Sequence, residues 1–563
     1  MAKALPRNSD VADQLELLAD LLELEGAASF RVVAYRRAAQ RIRETAGSVA
    51  ELALAGRAKE LSGIGKTIEE KIVQVVEDGE MHALTKRKGT VPPEVVLFMR
   101  LPGLGPKTAA RIWKELGVST IDELKRAAEA EQIRTLAGLG AKSEERILKA
   151  LAEKKQEPSD RRLLGDGLPA LLAVVQVLRD HPAAVEVSEA GSARRRKETF
   201  RDLDIIATAK DAEALIDYFT KLKWVVEVAA KGPSKATVLS NEGLRFDLRV
   251  VPPESYGNLL QHFTGSKDHN MALRERAVKD GYSVSEYSIT VVEAGKELNY
   301  GTERGVYERL GYEYIPPELR ENAGELEAAR KGELPKLVEL KDIRGDLHCH
   351  STWSDGKHTL EQMALAARER GYDYLAITDH PRGTLAEQDV EVDALNERLA
   401  PFRILKGIEV NIRVDGSLSL PDDVLAARDW VIASLHGAFD RNPTERVLAA
   451  MENPHVDLIG HLTARKINIR QPADVNVERV IEKAVETGTF LEINSQPNRL
   501  DLRDTHARLA GEAGVKVLVS TDAHELRALA HIEMGVAQAR RAWLTKEQVL
   551  NTRSWPQIRR LLT

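Results

Sequence analysis

The stretch "DLHCHSTWSDGKH", residues 346–358, places His348, Cys349, His350, Asp355 and His358 within thirteen positions. Imidazoles mixed with carboxylates at this density are donors for Mn2+ or Zn2+. Downstream, short apolar runs end in further polar groups: His380 in "AITDH", Glu409 in "GIEVN", His436 in "ASLHG", His461 in "LIGHL", Asn494 in "LEINS", and Asp522 and His524 in "STDAH". If these runs are strands of a parallel barrel, their C-terminal ends converge on one mouth, where donors far apart in sequence meet. A lone strand-end histidine is more often an ordinary hydrogen-bonded residue. Eight strand-end histidines and carboxylates joined by Asp355 argue instead for a metal centre. Cys349 alternates with two of the donors and is expected to point away from them, and His358 is expected to cap or pack.

A second carboxylate set lies upstream. In "DLDII", Asp202 and Asp204 are two apart on a predicted strand and share a face. Asp247, in "LRFDLRV", belongs to a neighbouring strand, with Arg245 and Arg249 on its face. Three carboxylates on one sheet face repel unless a hard cation sits among them, which suits Mg2+. Two such ions about 3.5–4 Å apart serve phosphoryl transfer. The turn at Gly191-Ser192, followed by Arg194, Arg195, Arg196 and Lys197, suits a triphosphate.

A third element repeats. "LSGIGKTIEEKI" (61–72) returns as "LPGLGPKTAARI" (101–112) and more loosely as "LAGLGAKSEERI" (136–147). Each copy is an apolar residue, a Gly-x-Gly hairpin and a helix that starts at once, so helix N-terminal amides can approach a phosphate. These are helix-hairpin-helix units, which grip the DNA backbone without reading its sequence. Gly63, Gly65, Lys71, Gly103, Gly105 and Lys107 are the contacts they offer.

The elements that position these groups follow from periodicity. Residues 11–24 and 30–42 carry apolar residues at helical spacing, the second run with arginines interleaved. After the polar stretch "EKKQEPSDRR" (153–162) the pattern changes to strands: two over 184–209 around the basic turn, and a hairpin over 235–251 turning at Asn241-Glu242-Gly243. A charged, proline-bearing segment (316–341) precedes seven short apolar strands alternating with helical stretches, the pattern of a parallel (β/α) barrel. The chain is therefore multidomain α+β and α/β. Its expected parts are a helical DNA-binding domain (1–90), a second helix-hairpin-helix region (91–155), a carboxylate-bearing sheet domain (163–252), a small α/β domain (253–318), a linker (319–341) and a metal-dependent barrel (342–563).

Composition limits the function. Net charge is −6, and residues 1–160 carry 26 Lys+Arg against 25 Asp+Glu, so nucleic-acid contact comes from local clusters. One cysteine excludes an intrachain disulfide. With no apolar run near the length of a membrane span and no signal peptide, the chain reads as cytoplasmic, without a membrane partner.

"GSARRRKETFRDLDI", followed by "RFDL", "HFTGSKDHNMALRERA" and "GVYERLGYEYIPPELRE", resembles the family X DNA polymerases, and the domain order resembles the bacterial branch that carries a C-terminal PHP domain. The resemblance implies that Asp202, Asp204 and Asp247 hold two Mg2+ or Mn2+ ions, with Asp247 accepting the primer hydroxyl proton. It implies that residues 163–252 are a polymerase palm and 253–318 a thumb, that Gly191, Ser192 and Arg195 bind the triphosphate, and that Phe263, Thr264, Gly265, Lys267, Asn270 and Arg274 line the nucleotide pocket.

Three positions depart from the family's pattern. Arg196 and Arg201 stand where glycine is usual, and His262 stands where tyrosine packs against the sugar. Lys71 falls where eukaryotic relatives keep a Schiff-base lysine of a deoxyribose-phosphate lyase, and Tyr35 matches. Arg31 replaces a usual lysine, and Lys71 reads either as that lyase nucleophile or as a phosphate contact, the commoner role of a lysine on a DNA-binding helix.

In the barrel, the resemblance to the PHP superfamily implies a trinuclear site holding up to three Mn2+ or Zn2+ ions. His348, His350, Glu409 and Asp522 would hold one ion. Glu409 would bridge to a second with His436 and His461, and Asp355, His380 and His524 would hold a third.

The implied protein is a monomeric, nucleoid-associated repair polymerase that fills short gaps in gapped or nicked duplex DNA with dNTPs and removes 3′ nucleotides at the PHP site. That site is also open to AP endonuclease chemistry. The alternatives are a repair nuclease whose polymerase half only binds DNA, and a non-catalytic scaffold at breaks.

Overall fold

The computed structural model describes residues 5–6, 8–45, 48–61, 63–100, 104–136, 139–152, 161–381 and 385–562. It divides into two compact units, the first of residues 1–158 with 476–478, the second of 159–475 and 479–563. Gly103, Gly138 and residues 153–160 of the polar stretch lie outside the described residues. No helix among the described residues is long and apolar enough to cross a membrane.

The first unit is helical. Helices Asn8–Leu24 and Ser29–Glu44 follow the two periodic runs, and helices Lys66–Asp78, Pro106–Leu116 and Ala141–Ala152 follow the three hairpins. The residue between the paired glycines anchors each of the first two hairpins. Ile64 and Leu104 are each 3% exposed and join a core that runs from Val11 to Ile147.

The second unit begins with a five-stranded mixed sheet. Strands β1 (Ala184–Glu189), β2 (Leu203–Ala209), β3 (Val225–Lys231), β4 (Lys235–Ser240) and β5 (Arg245–Val250) take the order β1-β2-β5-β4-β3. Only β2 and β5 run parallel, and their register sets Asp204 opposite Asp247. Helices Leu164–Arg179 and Ala212–Thr220 bury their apolar stripes on this sheet. Thumb helices Tyr256–Thr264 and Lys267–Lys279 precede a small antiparallel sheet of strands 282–284, 289–291 and 296–298.

Residues 319–341, expected as a linker, are packed. Arg320 and Glu325 are fully buried, and Leu326, Ala329 and Leu337 belong to the thumb core. The segment's charges suggest solvent, but they are paired internally: Glu303 takes the Arg320 guanidinium, and Glu325 takes His269 Nδ1 at 2.6 Å.

The barrel follows with seven parallel strands in consecutive order: β6 (Gly345–Cys349), β7 (Tyr374–Ile377), β8 (Arg403–Asn411), β9 (Trp430–Ser434), β10 (Leu458–Gly460), β11 (Phe490–Asn494) and β12 (Val517–Ser520). A parallel bridge between Cys349, the last residue of β6, and Ala523, three residues past β12, brings the first and last strands together. Large side chains such as Leu347, Tyr374, Trp430, Phe490 and Leu518 fill the interior. Leu500 and Met534 of the barrel region are part of the palm core, so the two domains are joined by packing as well as by chain.

Candidate active sites

The β2–β5 pairing builds the palm site. Asp204 lies in β2 opposite Asp247, and Asp202 precedes that strand by one residue. Burial, then the charges of Asp202 and Asp247, push the Asp204 carboxyl up to about 7. This is the electrostatic signature of carboxylates gathered without a counter-ion. Asp247 is oriented by Thr237 Oγ1 on one oxygen and by Arg245 Nε at 3.0 Å on the other. The trio is not among the groups that bring three donor atoms within 4.8 Å of one another.

Gly191 closes the site from above. It sits at φ +63°, and an added Cβ would meet Asp204 Oδ2 at 2.2 Å, so both its backbone and its missing side chain are required.

The four basic residues after Gly191-Ser192 do different work. Arg194 is committed to Glu303, with bonds of 2.9 and 2.7 Å, and to Thr264 Oγ1 at 2.6 Å. Arg195 donates through Nε to Glu321 at 3.0 Å and through Nη1 to the Thr264 carbonyl at 2.9 Å. Arg196 takes φ +56°, the left-handed conformation that a glycine would adopt freely, and its guanidinium folds back onto the Ala193 carbonyl and Glu189. The loop thus follows a glycine-type path despite the arginine. Arg201 is exposed on the turn before Asp202.

The other pocket residues form a contiguous group. The Phe263 ring stacks under Arg249 at 4.4 Å, next to the Asp247 strand. Thr264 is fully buried beneath the arginine loop. Asn270 donates to the His262 carbonyl at 2.6 Å and accepts from Gln261 at 3.0 Å, while an added Cβ at Gly265 would meet its oxygen at 2.5 Å. Arg274 Nη2 reaches His262 Nδ1 at 3.0 Å, and Lys267 stands exposed at the start of its helix. Burial and Arg274 hold the His262 imidazole below its ordinary value, so the neutral ring accepts this bond.

The barrel mouth gathers all nine candidate ligands. Glu409 Oε2 lies 3.4 Å from both His348 Nε2 and His350 Nε2, and 3.6 Å from His380 Nε2. Its other oxygen lies 3.4 Å from His436 Nε2 and 3.2 Å from His461 Nε2. One carboxylate therefore faces two imidazole groups, a bridging arrangement. Asp522 Oδ1 lies 3.4 Å from His350 Nε2, and Asp355 is 3.5 Å from His524 and 3.9 Å from His380. His380 stands between Glu409 and Asp355 and so borders two groups.

The donor chemistry fits metal ions. His348 Nε2, both nitrogens of His350 and Glu409 Oε1 are buried polar atoms without hydrogen-bond partners. Groups of this kind require some partner, and their shared focus makes a cation suitable. Burial opposes charge on His348, but Glu492, Glu409 and Asp522 outweigh it and raise its imidazole well above the ordinary value. Burial likewise opposes ionisation of Glu409, yet His348 leads the groups that hold it far down. Asp522 and His461 take φ of +51° and +25°, so ligand-bearing strand ends carry the local backbone strain.

Several supporting residues escape the sequence reading. Glu492 accepts His348 Nδ1 at 2.6 Å and Ser520 Oγ at 2.5 Å, fixing the ring so that Nε2 faces the mouth. Its signal is a carboxylate two before Asn494 in the otherwise apolar "FLEIN". Asn494 itself donates to Asp522 Oδ2 at 3.0 Å and acts as support for a ligand. Asn411 receives His436 Nδ1 at 2.5 Å. Asp379 accepts from Ser351 N at 2.8 Å and from Ser354 Oγ at 2.5 Å, closing the turn that carries Asp355. The Cys349 thiol faces Thr521 Oγ1 at 3.7 Å, and burial raises its pKa well above the ordinary value. His358 is joined to that turn through its carbonyl, which accepts Thr352 N at 3.0 Å.

In the first unit, helices Lys66–Asp78 and Pro106–Leu116 are capped by Gly65 and Gly105 in extended conformation. An added Cβ at Gly63, Gly65 or Gly105 would meet nothing within 4 Å, so the space before these helices is open. Lys107 is exposed on its helix, Lys71 is half-buried and Tyr35 is in the core.

Comparison with known proteins agrees with this layout. Residues 6–81 match a helix-hairpin-helix domain, 95–153 a SAM-like helix-hairpin-helix tandem, 259–321 the DNA polymerase beta thumb, and 346–496 the PHP domain. The DNA polymerase/3′-5′ exonuclease PolX of Bacillus subtilis (strain 168) is 39% identical over 569 residues, 98% of this chain and 99% of that protein. A probable phosphatase of Thermoanaerobacter sp. (strain X514) is 33% identical over 226 residues, 37% of this chain and 89% of that protein. Likeness that runs through both the palm and barrel regions at this level shows that the chain belongs to the bacterial PolX family, the family X DNA polymerases with a C-terminal PHP domain.

Proposed function

We propose that the chain is a DNA polymerase with 3′-5′ exonuclease activity that fills short gaps in duplex DNA during repair. The observation that carries this reading is the presence in one chain of two separate donor sets, an all-carboxylate palm face and an imidazole-rich barrel mouth. Asp202, Asp204 and Asp247 would hold Mg2+ or Mn2+, which supplies charge stabilisation for an in-line attack on the nucleotide's α-phosphate. Asp247 takes the proton of the primer 3′ hydroxyl. Arg195 and the Gly191-Ser192 turn hold the triphosphate, and Phe263 with Arg249 forms the wall beside the sugar and base.

At the barrel, His348, His350, Glu409, Asp522, His436, His461, Asp355, His380 and His524 would hold up to three Mn2+ or Zn2+ ions, which activate water against a phosphodiester. Glu492 and Asn411 orient two of the imidazoles. The helix-hairpin-helix amides and Lys107 grip backbone phosphates on either side of a gap, so the protein works as a monomer on gapped or nicked duplex.

The reading of the palm half as a mere DNA-binding module rests on the arginines at positions 196 and 201, where the family's pattern has glycine. At position 196 the glycine-like backbone and back-folded side chain speak for an intact triphosphate loop. Extension and degradation measured on one duplex with a one-nucleotide gap, with Mg2+ and Mn2+ compared, test the proposal. Incorporation of one templated nucleotide together with metal-dependent 3′ shortening is expected, and absence of templated incorporation with both ions would refute it.

A further inference from the structure

Helix Ile532–Arg541 belongs to the barrel domain, yet its last residue reaches the polymerase's arginine loop. The Arg541 side chain is 2% exposed. Its Nε and Nη2 hold Asp504 Oδ2 at 2.9 and 2.5 Å. Its Nη1 donates to the backbone carbonyl of Arg195 at 2.8 Å and to Glu321 Oε1 at 3.1 Å. That same Glu321 oxygen accepts Arg195 Nε at 3.0 Å, and Lys197 Nζ lies 3.9 Å away. One buried guanidinium thus fixes the Arg195 backbone directly and its side chain through Glu321.

Within the loop, this restraint bears on one residue above all. Arg194 is saturated by Glu303 and Thr264, and Arg196 folds back onto its own turn. Arg195 keeps Nη2 for a ligand while Nε and Nη1 are held. A guanidinium held at two of its three nitrogens presents the third at low entropic cost, which is how positioning residues improve binding without touching the ligand. The loop itself includes left-handed backbone at Gly191 and Arg196, so an external anchor decides where Arg195 points.

We propose that Arg541, supplied by the barrel domain, is a positioning residue of the polymerase site that sets Arg195 for the triphosphate of the incoming nucleotide. The inference rests on the reading of Arg195 as a triphosphate ligand. It makes the PHP domain a structural part of nucleotide binding, in addition to its own chemistry.

The test uses the full chain and gapped duplex, with dNTP KM and kcat, exonuclease rate and thermal unfolding measured for Arg541→Gln, Arg541→Lys and Arg195→Ala. Arg541→Gln should raise the dNTP KM about tenfold, the size of one lost charge-assisted hydrogen bond, with kcat and exonuclease rate near parental values. Arg541→Lys keeps the buried charge but cannot span Asp504 and the Arg195 carbonyl together, so it should raise KM by a smaller factor. Parental KM in both Arg541 variants, with a raised KM in Arg195→Ala, overturns the positioning role alone. Parental KM in Arg195→Ala overturns the triphosphate reading on which it rests. Equal losses of kcat and exonuclease rate in both Arg541 variants would mean a merely structural contact and also overturn it.

Discussion

Arg465 donates through Nη2 to Glu198 Oε2 at 2.8 Å, with Arg465 only 5% exposed. Arg465 lies four residues beyond the barrel ligand His461, and Glu198 lies four before Asp202 of the palm. The same arginine nitrogen also reaches the Leu500 carbonyl at 2.6 Å. Burial opposes ionisation of Glu198, but Arg465 and Arg503 hold its carboxyl below the usual range. Polymerase and barrel sites are thus mounted on one packed body.

Shared mounting does not mean shared chemistry. Asp247→Ala removes a palm ligand and should lower extension by orders of magnitude while 3′ degradation persists, whereas His348→Ala or Asp522→Ala should do the reverse. Both rates are to be measured on one gapped substrate. Loss of both activities from one substitution, in protein that still folds and binds DNA, contradicts two independent sites.

Glu492 is predicted to matter without touching an ion. Its 2.6 Å contact keeps His348 Nδ1 occupied and Nε2 directed into the mouth. Glu492→Gln should weaken metal affinity or exonuclease rate by about 10- to 100-fold, with extension unchanged. Titration of metal-stripped protein with Mn2+ decides it, and parental affinity in the variant would leave Glu492 a packing residue.

The hairpins give a cleaner test than most glycine substitutions. Gly65 and Gly105 have extended backbones and open space around a would-be Cβ, so Gly65→Val with Gly105→Val should fold normally. The bulk should hold the helix N-terminal amides away from phosphates, weakening duplex binding across sequences alike and reducing its salt dependence. Unchanged affinity over a salt series would remove these hairpins from the DNA interface.

Much of this organisation is legible in the chain because it depends on short periods. Strand-end ligands can be located wherever a four- or five-residue apolar run ends in a polar residue, and the Asp202–Asp204 spacing sets a strand face. Contacts that depend on distant packing are not visible in this way. Residues 319–341 look like a linker because their charges are satisfied by Glu303 and His269, far from them in sequence. Arg541 and Arg195 are 346 residues apart, and nothing local to either position reveals the other. Glu492 falls between these cases: its face is readable, but its partner is not.

The last prediction concerns pH. Burial and the neighbouring Asp202 and Asp247 raise the folded Asp204 carboxyl to about 7, from 3.8 in an ordinary environment. Between pH 4 and 7 the folded protein therefore binds more protons at this site than the unfolded chain does. Its contribution to stability is greatest at the acid end and is lost as pH rises through 7. In chelator-treated protein, the parent should lose stability over that window relative to Asp204→Asn, by on the order of 4 kcal/mol at pH 8. Carboxyls away from the palm titrate alike in both proteins, so the difference reports Asp204 together with its coupling to Asp202 and Asp247. Mg2+ or Mn2+ should abolish the parent's deficit, because a cation among the three aspartates favours the ionised form, while Asp204→Asn fails to extend primers under every condition. Denaturant unfolding of the two proteins at pH 5 and pH 8, with and without the ion, measures it. Parallel pH profiles would show that the palm carboxylates are not electrostatically coupled.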